Sequence, residues 1–497
     1  MQAHLVTDGP RLLNATTGAR VRLRCVNWYG AHQEPLVPGG LELTTAERIA
    51  ALIAQLGANC VRLPLSDYGV IRNPWVEPRF IQGIAGFKNN STKTSYLQVL
   101  DHVIHALTSQ GLMVILNSHT SVPGWVGAQE ALPQGLWHGN GLSTADWANG
   151  LALLGARYQN NPLMIGIDLR NEIHDQEQQS ITWGESTDPD LDWLAAATLA
   201  DNAISAVNPH ALIIVGGLCR AYDLRPLMEH IGPVEAYKRK KLVYTAHVYL
   251  FSWWWTWVNW TPVVFTAVAG LLLVLWAIAC HAPAGSFYHS IDKPQHTHKR
   301  RTCNARAALA AFCPFAALWI AIACAKSSIA LNEGCQTIAN ESYVWILVGI
   351  LLLIASLATL FLSFCCSLCE EEGNYQPVLT SFLAWTALVA AAVLATFLAT
   401  NTYWIVQDEL LRWRLQSSSV PVWIGEFGTG IGDTSLQWRY LLRILRDWDL
   451  DFAYWAVNGR KWISSRPQQG WQPEPFGLLT PDYTAVADQA FADSIFI

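Results

Sequence analysis

The chain moves between two hydrophobic rhythms. Short, nearly continuous apolar runs occupy residues 22–28, 59–64, 112–119, 163–167, 211–216 and 241–249. Between them, apolar positions recur at helical spacing over 44–56, 96–110, 144–158 and 191–207. The runs are rich in β-branched residues and do not alternate with polar ones, as expected of strands covered on both faces. Thr44 is placed to cap the first helix and Gly57 to stop it. After a long interruption the rhythm resumes with a helix over 408–415, a strand over 422–426, a helix over 436–447 and a strand over 451–456. Eight strand–helix units predict an α/β chain folded as a (β/α)8 barrel, whose functional face is made by the C-terminal ends of the strands. The competing arrangement is an open doubly wound sheet, but no glycine-rich phosphate loop follows the first strand.

The interruption carries four apolar stretches, 261–281, 307–325, 343–362 and 378–400, without an Asp, Glu, Lys or Arg. Each is near the ~20 residues that span hydrocarbon as a helix. Trp253, Trp254, Trp255, Trp257 and Trp260 precede the first stretch, and Tyr403 and Trp404 follow the last, in the manner of an interfacial aromatic belt. The expected layout is the first part of the barrel over 1–250, a four-helix transmembrane insertion over 251–407 between strands six and seven, and the last part of the barrel over 408–497. An even number of spans returns the chain to the side it left. Departure from a loop of the functional face would hold that face near a lipid bilayer.

Composition points the same way, with 52% hydrophobic and only 14% charged residues, against about 25% charged in soluble domains. Lys293, Lys299, Arg300 and Arg301 favour the cytoplasm for the loop between the first two spans. Sequons at Asn14, Asn90, Asn259 and Asn340 all fall on the barrel side. The expectation is a multi-pass membrane protein with its barrel extracytoplasmic or lumenal, although Lys238, Arg239, Lys240, Lys241 and Arg412 flank the spans on that same side. Residues 1–20 hold no apolar core of signal-peptide length, which implies an internal membrane signal or a start further upstream. The net charge of −6 excludes nucleic acid as a partner. The eleven cysteines, Cys25, Cys60 and Cys219 early and eight between Cys280 and Cys369, do not read as a disulfide framework. Cys365, Cys366 and Cys369 resemble a juxtamembrane lipidation cluster, and His296 and His298 lack the further ligands of a metal site.

Polar side chains gather where the predicted strands end: Arg62, His119, Asn171, Glu172, His247, Tyr249, Glu426 and Trp455. Two carboxyl groups at strand ends of one barrel suit glycosidic-bond cleavage, in which one group protonates the leaving oxygen and the other acts at the sugar carbon. A structural reading stands beside each: Arg62 as a rim salt bridge to Asp67 or Asp168, His119 as a core histidine, Trp455 as packing.

The segments Val-Arg62-Leu-Pro, Asn-Ser-His119, Arg-Asn171-Glu172, His247-Val-Tyr249, Gly-Glu426-Phe-Gly and the strand-eight Trp455 together resemble family 5 of the glycoside hydrolases, the cellulase-like retaining enzymes. The resemblance covers residues 20–250 and 405–480 in order, and leaves the interruption outside it. It implies Glu172 as acid/base and Glu426 as nucleophile, with no metal and no cofactor. On it, Arg62 keeps Glu426 ionised, Tyr249 bonds the nucleophile, Asn171 meets the sugar 2-hydroxyl, His119 and His247 line the subsite, and Trp455 offers a face to the sugar ring. Burial and the Glu426 charge are expected to raise the pKa of Glu172. The implied function is retaining β-glycosidase activity on a β-1,4-glucan. The insertion point suggests a glycolipid as the alternative substrate, and a sugar-binding membrane receptor is the rival outside the enzymes.

Overall fold

The computed structural model describes residues 4–83, 93–125, 133–176, 179–249, 419–464 and 468–496. Met1–Ser252 and Tyr403–Ile497 form one compact unit, and every element below belongs to it. Its centre is a closed, all-parallel barrel of eight strands. They are β1 (Arg24–Asn27), β2 (Cys60–Ser66), β3 (Met113–Thr120), β4 (Met164–Asp168), β5 (Leu212–Gly216), β6 (Leu242–Val248), β7 (Val422–Phe427) and β8 (Asp451–Tyr454). Each strand pairs with its sequence neighbours and β8 closes on β1. The strands are buried almost throughout, which is why they read as unbroken apolar runs.

The helices lie where the 3.6-residue spacing places them: α1 (Ala46–Gln55), α2 (Tyr96–Ser109), α3 (Thr144–Arg157), α4 (Trp193–Val207) and α5 (Leu436–Asp447), followed by α6 (Gln489–Phe496). Thr45, one residue beyond the expected Thr44, caps α1 by accepting from the Arg48 amide. Ser143 and Asp146 cap α3 reciprocally. The connection from β5 to β6 holds three short helices, Leu218–Ala221, Arg225–Glu229 and Val234–Lys238. No periodic pattern announces them, because Gly217, Pro226 and Pro233 break any spacing longer than a turn.

The barrel interior has two halves. At the N-terminal end of the strands Cys25, Cys60, Met113, Ile115, Leu212, Ile214, Val243, Trp423 and Ala453 form an apolar core, and a hairpin of Leu5–Asp8 with Arg11–Asn14 adds Leu5 and Leu12 to it. The cysteine reading needs a correction here. Cys25 and Cys60 are disulfide-bonded across paired positions of β1 and β2, with Cα atoms 4.2 Å apart. Their separation of 35 residues carries no signal in the sequence; the pairing of β1 with β2 sets them side by side.

The membrane reading is also corrected. Among the described residues no helix is long and apolar enough to cross a membrane. The four apolar stretches and the predicted helix over 408–415 lie outside the described residues. Hydropathy and length are necessary for a span, but crossing also needs one continuous helix that satisfies its own backbone. The multi-pass localisation, the lipid bilayer as partner and the glycolipid alternative all rested on those spans and are not retained.

Leu12 is completely buried at the closed end of the barrel. Leu12→Ala should lower unfolding stability by about 2–5 kcal/mol, read by urea denaturation. A loss below about 0.5 kcal/mol would show that the hairpin does not plug the core.

Candidate active site

The other half of the barrel interior is polar, and Arg62 organises it. This residue lies inside β2 rather than at its end, opposite Asn27 of β1 and Ile115 of β3. Its guanidinium is fully buried and uses its fork on four partners. Nε donates to Asp168 Oδ2 (2.8 Å), Nη1 to Asn27 Oδ1 (3.0 Å) and Glu426 Oε1 (2.6 Å), and Nη2 to Asn171 Oδ1 (2.9 Å). Asn27 in turn donates from Nδ2 to the Gly425 carbonyl (3.1 Å), tying β1 to β7. The two structural alternatives for Arg62 resolve differently: Asp168 is its partner, whereas Asp67 pairs with Arg170 at 2.8 Å.

Glu426 is aimed by an irregularity in its strand. Ala246 pairs with Ile424 but His247 pairs with Glu426, so Gly425 is the extra residue of a bulge. A Cβ at Gly425 would sit 2.3 Å from Thr245 Oγ1, so only glycine fits. The shift brings two residues that ordinary alternation would send apart onto the same side. Glu426 Oε2 accepts from the Tyr249 hydroxyl (3.0 Å) and lies 3.8 Å from His247 Nδ1. Burial, together with the charges of Glu426 and Glu172, pushes the Tyr249 phenol well up, so it remains a donor.

Glu172 follows β4 with φ +40°, a left-handed conformation that a side chain adopts only when its surroundings hold it there. Its Oε1 is 3.0 Å from His247 Nδ1, and its Oε2 is 3.7 Å from Arg220 Nη1. One carboxylate oxygen of Glu172, one of Glu426 and a nitrogen of His247 lie within 4.8 Å of one another. Two carboxylates and an imidazole could hold a divalent cation, but the Arg62 charge bonded to Glu426 opposes one.

The proton arrangement reverses the expectation from sequence. Burial raises Glu172, but the hydrogen bond and charge of His247, with Arg220 and His174, outweigh it and hold the carboxyl below its ordinary value. Glu426 is pushed up by burial, with the Glu172 charge adding to it against His247 and Arg62. The expectation failed because it placed His247 beside the sugar alone and did not see Arg220.

His119 is buried on β3 with Nδ1 2.8 Å from Asn117 Oδ1, and burial holds its imidazole well below the usual range. Trp455 stacks on Tyr29 with centroids 4.8 Å apart and planes 5° from parallel, and its ring is 5.7 Å from that of His119. All eight residues singled out by sequence therefore meet at one end of the barrel. Sequence reasoning missed Asn27, His174, Arg220, Tyr29 and His32, and offered Asp168 only as a salt-bridge partner of Arg62. Asn27 and Asp168 carried a usable signal, since each is a polar residue closing a buried strand. The others lie in loops without periodicity.

Residues 19–265 match the family model of cellulase, glycosyl hydrolase family 5. A glycosyl hydrolase 5 family protein of Chamaecyparis obtusa is 31% identical over 263 residues, 50% of this chain and 45% of its own length. The major extracellular endoglucanase of Xanthomonas campestris is 31% identical over 208 residues, 41% of this chain and 38% of its own. The chain thus spans less than half the length of these two relatives. The fold is that of solved endoglucanases. The catalytic domain of the major Xanthomonas campestris enzyme superposes with a TM-score of 0.56 at 18% identity, covering 99% of each chain. A cellotetraose complex of a Pyrococcus horikoshii endocellulase gives 0.54 at 17%, covering 99% of this chain and 97% of its own.

His32 sets a pH limit on the folded state. It is fully buried against His119, Tyr29 and Trp125, and among the described residues neither ring nitrogen has a hydrogen-bond partner. Burial, helped by Arg62, lowers its pKa from 6.5 to about 3. The unfolded chain therefore takes up this proton first, and stability falls as pH drops from 6.5 towards 3. The loss is at most about 1.4 kcal/mol per pH unit. His32→Phe should flatten that limb in urea titrations between about pH 6 and pH 4. Equal slopes in the two proteins would place its source elsewhere.

The match to the cellulase family, glycosyl hydrolase family 5, thus falls on the part of the chain that supplies six of the eight barrel strands and carries Glu172 and its partners.

Proposed function

We propose that the chain is a retaining β-glycosidase that cleaves β-1,4-glucan in the manner of an endoglucanase, with Glu172 as acid/base and Glu426 as nucleophile. The observation that carries the reading is the approach of the two carboxylates, one oxygen of each within 4.8 Å of the other. Retaining enzymes hold their carboxyl groups ~5–5.5 Å apart, whereas inverting ones leave ~6.5–9.5 Å for a water molecule. Relatives named as endoglucanases support the substrate class.

In the first step Glu426 Oε attacks the anomeric carbon as the C1–O bond breaks, and Glu172 gives its proton to the departing glycosidic oxygen. A covalent glycosyl-enzyme and a shortened glucan result. In the second step Glu172, now ionised, takes a proton from water, the water oxygen bonds to C1, and Glu426 leaves as a carboxylate. Arg62 and Tyr249 fix the two oxygens of Glu426 and take up its charge when it is released. Arg62 also holds the oxygen of the Asn171 amide, which turns the amide nitrogen towards a sugar 2-hydroxyl. Trp455, backed by Tyr29, offers its remaining face to the ring.

Proton donation requires the proton on Glu172 when substrate arrives. Sugar filling the cleft removes water from Glu172, which favours the protonated carboxyl. A receptor that only binds sugar has no use for a nucleophile clamped by a buried arginine.

Hydrolysis of an aryl β-cellobioside tests the reading. Glu172→Gln should lower kcat/KM about 10²–10⁴-fold, and Glu426→Gln should abolish turnover. Azide should rescue Glu426→Ala and give the glycosyl azide of inverted anomeric configuration. A wild type that binds cello-oligosaccharides without cleaving them would make the barrel a receptor.

A further inference from the structure

We infer that Arg220 is a positioning residue for the acid/base carboxyl, clamping Glu172 and His174 into one charged network on the leaving-group side of the cleft. The inference rests on the reading of Glu172 as acid/base and adds a residue to it. Arg220 lies in the connection after β5, far in sequence from every motif of the site.

Its placement is specific. Nη1 is 3.7 Å from Glu172 Oε2, and Nη2 is 2.9 Å from His174 Nε2. His174 Nδ1 is in turn 2.7 Å from the backbone carbonyl of Glu172. The Arg220 amide donates to the Ile173 carbonyl at 2.7 Å, so backbone and side chain grip the Glu172–His174 turn together. Three consecutive non-glycine residues, Cys219, Arg220 and Ala221, have left-handed φ values of 52°, 59° and 63°. L-residues take that conformation singly and at a cost. Three in a row on the segment that carries Arg220 place its guanidinium where an ordinary turn would not. Glu172, also left-handed, meets it from the neighbouring loop after β4.

The charges facing Glu172 come from each element around it: His247 and Tyr249 at the end of β6, Glu426 on β7, His174 on its own loop and Arg220 after β5. Among these groups Arg220 is the one whose positive charge does not depend on pH. It therefore favours the ionised carboxylate in both halves of the reaction. That helps when Glu172 must accept a proton from water and hinders when it must donate one. The clamp biases the enzyme towards rapid release of the glycosyl-enzyme, while His174, bonded to both partners, holds the geometry.

The test is direct titration of Glu172 by carbon-13 NMR of glutamate-labelled full-length protein, its carboxyl signal identified by loss in Glu172→Gln. The expected result is a midpoint at higher pH in Arg220→Met and in Arg220→Gln than in wild type, with Arg220→Lys returning it towards wild type. A Glu172 midpoint that stays at the wild-type value in Arg220→Gln would overturn the inference, because Gln can keep a hydrogen bond to His174 and removes only the charge. The titration needs no turnover, so its failure is distinct from failure of the hydrolase reading. Kinetics with a dinitrophenyl β-cellobioside, whose leaving group needs no proton, add a second readout. Arg220→Gln should move the acid limb of kcat to higher pH through the deglycosylation step, and an unmoved limb would count against the clamp.

Discussion

One buried guanidinium carries the upper half of the barrel. Arg62 joins four of the eight strands through side chains that sit on or close after them: Asn27 on β1, Asp168 and Asn171 at β4, Glu426 on β7, and its own strand β2. Burying two carboxyl groups beside one cation is expensive, and replacing such a cluster by apolar residues is often neutral or stabilising in other proteins. Stability therefore does not explain it. What the cluster supplies is direction: a planar fork has fixed donor angles, so each oxygen it holds is held in a defined place. Asp168 shows the strain of this sharing. Burial pushes its carboxyl up against the pull of Arg62.

The same crowding acts on the charge of Glu172, whose carboxyl the hydrogen bond and charge of His247 hold below its ordinary value against the push of burial. Glu426 is buried, Glu172 is partly exposed, and the two face one another across His247. Burial acts in the same direction on both carboxyls, and the difference between them comes from their partners: His247 bonds Glu172 directly, whereas the Glu172 charge bears on Glu426.

How much of this was legible in the sequence follows from what kind of information each feature needs. Strands buried on both faces show as apolar runs, and amphipathic helices as a 3.6-residue beat, so the barrel was readable element by element. The residues of the site were readable because each one ends or lines such a run. Features that need two distant segments at once were not. The Cys25–Cys60 bond, the bulge at Gly425 and the reach of Arg220 depend on pairing between strands and on loops, where periodicity says nothing. The membrane reading failed for a related reason, since apolar length was taken as a complete description of a segment whose path the sequence does not state.

The seam between β6 and β7 shows why a long interruption is compatible with this site. His247 and Tyr249 stand at the end of one strand and Glu426 on the next, yet the chain between Val248 and Val422 is longer than any single connection between the six strands before it. Parallel neighbours never depend on a tight turn, because their connection must cross the sheet in any case. Each doubling of a flexible connection adds only about 0.6 kcal/mol of closure entropy. Against that stand the backbone ladder from Tyr244 to Val248 and the Tyr249–Glu426 hydrogen bond. The side that His247 and Glu426 share is set by register across that ladder, and the bulge at Gly425 fixes the register.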